Sequence, residues 1–259
     1  MRKLPFVLLF TFLSSTVLFA QKYIKGNHNV TKTTRNVGSF SEIKAGGSVN
    51  VFLTQGNKNE IVIEADENLH DYIITEVSGK KLTIKNKEQI RDAEKLDVYV
   101  TFKEINALEG SGATDIVALN KIQTSKEFFL SGSGATDVLL KKGFSSNSLE
   151  LDGSGSADIE MVNVSTNNVT ANLSGSVDLE IDGKAETLTI GASGSSDFLA
   201  KQLIVSSATI STSGSSDVSV HTTNSISVNA TGSSDVYYWG NPSNKMINSS
   251  RAADVMLKQ

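Results

Sequence analysis

From residue 105 to the C-terminus, apolar side chains come in pairs two positions apart, and the pairs flank a short glycine-centred segment that keeps returning. Counted from that glycine, positions −6 and −4 hold Phe128/Leu130, Leu149/Leu151, Val169/Ala171, Leu188/Ile190, Ala208/Ile210 and Ile226/Val228. Positions +4 and +6 hold Ile116/Ala118, Val138/Leu140, Ile159/Met161, Leu179/Ile181, Phe198/Ala200 and Val218/Val220. A period of two belongs to strands with one face buried, not to helices. The even positions nearest the glycine are small: Gly132, Gly153 and Ala192 at −2, Thr136, Ala157 and Ser196 at +2. The interior therefore narrows to a corner. Each unit reads as a strand, a tight bend, a second strand and a variable return of a few residues.

The bend itself is a repeated motif. It runs Ser111-Gly112-Ala113-Thr114-Asp115, Ser133-Gly134-Ala135-Thr136-Asp137, Ser154-Gly155-Ser156-Ala157-Asp158, Ser174-Gly175-Ser176-Val177-Asp178, Ser193-Gly194-Ser195-Ser196-Asp197, Ser213-Gly214-Ser215-Ser216-Asp217 and Thr231-Gly232-Ser233-Ser234-Asp235. A decayed eighth copy is Ser250-Arg251-Ala252-Ala253-Asp254. The aspartates follow one another at 22, 21, 20, 19, 20, 18 and 19 residues. A period near 20 is that of a solenoid coil, too short for a propeller blade or a paired-helix repeat. Gly47-Ser48-Val49-Asn50-Val51 fits the same frame with Asn50 at the aspartate position, which starts the solenoid before residue 105.

Stacked coils of this kind pair each strand with its copy one coil later and leave edges only at the two ends. The crossover preference makes the right-handed form the default. The predicted fold is all-β: a single-stranded right-handed parallel β-helix (solenoid) with coils of about 20 residues. Eight motifs give a rod on the order of 35–40 Å tall at ~4.8 Å per coil. A Greek-key sandwich would not explain identical bends at a fixed period. Residues 21–104 are less regular, with strands expected at Ile61-Val62-Ile63-Glu64, Lys81-Leu82-Thr83-Ile84 and Leu96-Asp97-Val98-Tyr99-Val100. They are expected to form an N-terminal cap and first irregular coils, in the same body as the regular coils of 105–259.

Met1-Arg2-Lys3 precedes an apolar run from Phe6 to Leu18, and Ala20 offers a small residue for cleavage before Gln21. Residues 1–20 read as a secretory signal peptide. A run of about 13 mostly apolar residues falls short of the ~30 Å hydrocarbon core that a span must cross. The expected location is periplasmic, cell-surface or secreted.

Charge splits the chain. Residues 21–104 carry 13 basic and 12 acidic side chains, and residues 105–259 carry 9 and 16. The acidic half excludes a nucleic-acid footprint. With 0 Cys, disulfides, thiolate catalysis, cysteine-ligated zinc and a cysteine-borne lipid anchor are also excluded.

Phe40-x-x-Ile43, Gly47-Ser48-Val49-Asn50-Val51, the strands at Leu82-Ile84 and Val98-Val100, and the serial Ser-Gly-x-x-Asp coils over residues 39–240 resemble a bacterial family, the putative auto-transporter adhesin, head GIN domain. The resemblance rests on pattern and order, not on a catalytic signature. It implies a right-handed β-helix, export in bacteria of the Bacteroidetes type and an adhesin-like role. It carries over no functional residues.

Two groups of residues stand out as candidate sites. The first is the column Asp115, Asp137, Asp158, Asp178, Asp197, Asp217 and Asp235, continued by Asp254, which parity places on the outer face. Stacked carboxylates about 5 Å apart repel. Either backbone N–H groups and Ser or Thr hydroxyls of the bend offset them, or the column binds Ca²⁺ as the glycine-aspartate β-roll repeats do. The second is Tyr237-Tyr238-Trp239, with the only Trp. Tyr237 and Trp239 either stack on sugar rings as a ligand-binding surface or seal the end of the solenoid.

Catalysis finds little support. Carboxylates recur evenly instead of gathering in a groove, and His28, His70 and His221 are far apart with no i, i+4 pairing for zinc. The glycine bends lead into strands, not into the helix a phosphate loop requires. The sequence therefore points to a non-enzymatic exported surface or envelope protein, an adhesin-like binding module for a polysaccharide or a cell-envelope protein. A purely structural periplasmic scaffold and a glycan-active β-helix enzyme are the alternatives.

Overall fold

The structure is a computed structural model that describes residues 23–259; the leading segment read as a signal peptide lies outside the described residues. Strand makes up 66% of the described residues and helix 3%, and coils of about 20 residues stack in parallel into one solenoid. The coils have two long walls. The strands before the bend glycine pair in register, for example Leu130 with Leu151, Leu151 with Ala171 and Ala171 with Ile190. The strands after it do the same, as Ile116 with Val138, Val138 with Ile159 and Ile159 with Leu179.

Every residue named above at −6, −4, +4 and +6 is buried, and together these side chains form one continuous core. The small residues at −2 and +2 are buried too, at the corner between the walls. Binary patterning thus decides the architecture, because a one-residue slip would turn the whole apolar set outward.

The return between coils is itself a wall. Ile122–Gln123 pairs with Phe144–Ser145, and Phe144 with Val164. Gly183 then follows below Val164, and Leu203 below Gly183. Ile122, Phe144, Val164 and Leu203 are buried at this third side.

At the N-terminal end the order in space is not the order in the chain. Glu42–Ala45 lies between Lys81–Asn86 and Ala107–Gly110, and Asn50–Gln55 between Leu96–Phe102 and Asp115–Ala118. The chain lays down its second coil first, runs outward to the terminal coil, and returns to continue the stack. Three strands close that end by antiparallel pairing: Glu60–Asp66 on Leu96–Phe102, Val30–Arg35 on Glu60–Asp66, and Ile73–Ser78 on Lys81–Asn86. The 3-10 helix Glu67–Tyr72 sits beside them, and the Arg35 guanidinium donates to the carbonyls of His70 and Ile73, both at 2.6 Å.

The C-terminal end is open. Asn244–Ser249 and Asp254–Leu257 pair on one side only, and Met246, Ile247, Met256 and Leu257 are exposed.

Candidate functional site

The bend is held by a backbone ladder. The N–H after each glycine donates to the carbonyl of the glycine one coil earlier: Ala135 to Gly112, Ser176 to Gly155, Ser215 to Gly194, at 2.7–2.8 Å. These glycines all have φ between +75° and +95°. At the terminal coil, where no glycine exists, the Asn86 side-chain oxygen accepts from Ser48 N–H at 2.9 Å and stands in for the missing carbonyl. At the other end the Ser250 hydroxyl donates to the Gly232 carbonyl at 3.3 Å.

The hydroxyls of the bend have partners of their own. Most of those at +2 turn back on the bend, as Thr136 to the Ser133 carbonyl at 2.8 Å and Ser234 to the Thr231 carbonyl at 2.9 Å, whereas the buried Thr114 hydroxyl has no partner among the described residues. Several at −1 donate to the preceding coil, as Ser133 to the Gly110 carbonyl at 3.2 Å. None of these bonds goes to an aspartate.

The aspartates stand in one straight column on the outer face of the second wall. Asp115, Asp137, Asp158, Asp178, Asp197 and Asp217 are each opposite the next in register. Asp235 N–H donates to Asp217 Oδ1 at 3.3 Å, and Asp254 follows opposite Asp235. The column extends beyond what the motif shows: Asn50 precedes Val51, the partner of Ile116, and Asn50 Nδ2 donates to Asp97 Oδ1 at 3.0 Å. Asp97 escapes a reading by period because its coil lies out of chain order and lacks the Ser-Gly bend.

The two halves of the column differ in charge balance. Near Asp97, Lys95 Nζ lies 3.4 Å from its carboxylate and 2.9 Å from Glu64, and Lys32 adds a second cation at 3.5 Å from Glu64. Those lysines hold Glu64 below the usual carboxylate range, the hydrogen bond from Lys95 acting most. From Asp115 onward no lysine or arginine pairs with the column among the described residues. Asp115, Asp158 and Asp197 are pushed above the usual carboxylate range, first by loss of hydration between stacked rungs and then by the charge of their neighbours Asp137, Asp178 and Asp217. Beside the column, Leu139, Leu199, Glu160 and Glu180 line a shallow depression of about 280 Å³. Among the described residues no three His, Asp or Glu side chains gather in a group that could hold a metal ion.

Tyr237 and Trp239 are on the same wall, one coil inside the C-terminal end, with Tyr238 turned into the core. Each outward ring has a lysine over it: Lys258 Nζ is 4.3 Å from the Tyr237 centroid and Lys201 Nζ 4.7 Å from that of Trp239. The Tyr237 hydroxyl donates to Asp235 at 3.0 Å, which raises the phenol above its ordinary value. His28, His70 and His221 stay apart. His28 faces Asp92 and Glu94 at the N-terminal edge, His70 meets Thr31 Oγ1 at 3.0 Å, and His221 lies opposite Trp239.

Residues 39–242 of this repeated-bend solenoid match one family: putative auto-transporter adhesin, head GIN domain. The chain belongs to this family. Solved structures share the fold of this head GIN domain chain. A crystal structure of a putative lipid binding protein from Parabacteroides distasonis is 24% identical with a TM-score of 0.84, covering 91% of this chain and 100% of its own. A putative adhesin from Parabacteroides merdae is 20% identical with a TM-score of 0.85, covering 92% and 99%. A putative adhesin from P. distasonis is 23% identical with a TM-score of 0.82, covering 91% and 100%. Comparison with curated proteins gives no match.

Proposed function

We propose that this head GIN domain chain is a non-enzymatic, exported, adhesin-like module that presents its outer walls to a glycan or protein partner of the cell envelope. One observation carries the reading. The core is continuous along the rod, so recognition chemistry is left to the outer faces, two of them long and repetitive. An enzyme gathers its perturbed groups in one enclosed cleft. Here the raised carboxylates recur at alternate rungs of an outer face instead. The adhesin description of the family and of two structural relatives agrees with this reading.

The test is saturable binding of residues 21–259 to purified envelope polysaccharides and to purified outer-membrane proteins. Binding to at least one class is expected, without release of new sugar ends; no binding to either class would overturn the proposal. A second reading, a scaffold assembled end to end, is favoured by the open C-terminal edge with exposed Met246, Ile247 and Leu257. A monomer at all concentrations in sedimentation would exclude it.

A further inference from the structure

We infer that the outer face of the first wall carries a binding site for an uncharged oligosaccharide, centred on Phe129. The inference rests on the reading of the outer walls as binding surfaces and names one ligand class for one of them. Phe129 occupies an outward position, between the buried Phe128 and Leu130 that already fill the core. In register with it on neighbouring coils stand Ala107, Glu150 and Thr170. The ring is half-buried, makes no ring contact among the described residues, and has only the small Ala107 side chain on one flank.

Depressions lie on the same wall around it. One of about 250 Å³ is lined by Phe129 with Asn106, Glu127, Glu150, Asn168 and Thr170. A second, of about 450 Å³, is lined by Asp152, Asn172, Ser131, Ser154 and Ser174, and Gly191 leaves it without a side chain on one side. Together they run across five successive strands, roughly 20 Å along the rod. That length suits a short oligosaccharide better than a single sugar.

The chemistry of the lining selects the ligand. A sugar ring presents an apolar C–H face, which packs on a flat aromatic ring. Its hydroxyls both donate and accept, and they are met by planar groups of fixed donor and acceptor sense. Asn172 Nδ2 donates to Asp152 Oδ1 at 2.9 Å, which fixes both groups and leaves Asp152 Oδ2 and the second Asn172 N–H pointing away from that bond. Charge narrows the class further. Glu127, Glu150 and Asp152 have no cationic partner among the described residues, while the lysines in register with Asp152 and Phe129 further up the wall, Lys44 and Lys81, are held by Glu109 at 2.8 and 2.7 Å. An acidic glycan would meet uncompensated like charge there. Tyr237 and Trp239, the aromatic residues that stand out in the sequence, already have lysines over their rings.

The experiment is calorimetric titration of residues 21–259 with cellotetraose, laminaritetraose, maltotetraose, mannotetraose and xylotetraose, with tetragalacturonic acid as the acidic comparison. At least one neutral tetrasaccharide should bind, Phe129→Ala should weaken it by about tenfold or more, and Phe129→Tyr should restore it. Tyr237→Ala should leave binding unchanged. A cooperative unfolding transition and a far-UV circular dichroism spectrum of Phe129→Ala like the parent's, at a somewhat lower midpoint as expected for a half-buried ring, separate lost binding from lost structure. No binding of any neutral tetrasaccharide, equal binding by Phe129→Ala, or tighter binding of the acidic one would overturn the site. An envelope protein bound equally well by the parent and Phe129→Ala would leave the binding-module reading standing while this site falls.

Discussion

Single residues in the bend explain why the repeat is spelled as it is. Gly175 sits at φ +95°, and a Cβ there would lie 2.6 Å from the Gly155 carbonyl oxygen. Both the dihedral and the stacking distance demand glycine, since the space a side chain would fill is the hydrogen bond between coils. Gly175→Ala should therefore cost more than about 1 kcal/mol in chemical denaturation. Gly38 has open space and no left-handed backbone, so Gly38→Ala should stay within about 0.5 kcal/mol. Equal effects at the two positions would mean that the glycine column is not under this constraint. The same logic shows why the motif can decay at its last copy. Arg251 has no positive φ, and the Ser250 hydroxyl takes over the contact to Gly232.

Strands and walls were legible in the sequence to the extent that one face of each is dry. Leu151 and Ile190 are at most 1% exposed, whereas Ser154 and Ser174 face water on the same strands as, or next to, those residues. Leu151→Ala or Ile190→Ala should cost ~2–5 kcal/mol, because a packed wall cannot close over the cavity. Ser154→Ala or Ser174→Ala should cost under about 1 kcal/mol. Similar losses in both classes, measured by denaturant unfolding, would contradict the assignment of faces. What the pattern could not show has physical reasons. The third wall offers only two or three residues per coil, too few for a period, although Ile122, Phe144 and Val164 recur near the coil spacing. The inverted order of the first two coils depends on long-range pairing, and Lys81–Asn86 carries no local mark that it lies outside Glu42–Ala45. Phe129 was readable as an apolar residue at an outward position, but parity alone does not say that a depression adjoins it.

At the scale of the whole rod, two sets of carboxylates pull stability in opposite directions with pH. Asp66 is fully buried at the N-terminal end, where burial raises its carboxyl but N–H groups of His28, Glu94 and Lys95 outweigh that and hold it below the usual range. A lowered folded value gives stability that is present above the ordinary carboxylate range and lost as pH falls through the lowered value. Asp115, Asp158 and Asp197 are raised instead, so over the interval between ordinary and raised values the folded chain binds more protons than the unfolded one. Stability then increases as pH falls through that interval. Acidification from neutrality should first raise the melting temperature and later lower it, and Asp158→Asn with Asp197→Asn should diminish the rise while keeping the fall, Asp115 supplying what is left. Since part of the rise comes from like-charge repulsion between rungs, behind the larger effect of lost hydration, sodium chloride at neutral pH should reproduce only that part by screening. Millimolar calcium should do no more than sodium chloride of equal ionic strength, because among the described residues no group of three acids converges on one point. A calcium-specific increase of several degrees that Asp178→Asn diminishes would instead make the column a cation site, and the acidic wall, not the wall of Phe129, would become the first place to look for a partner.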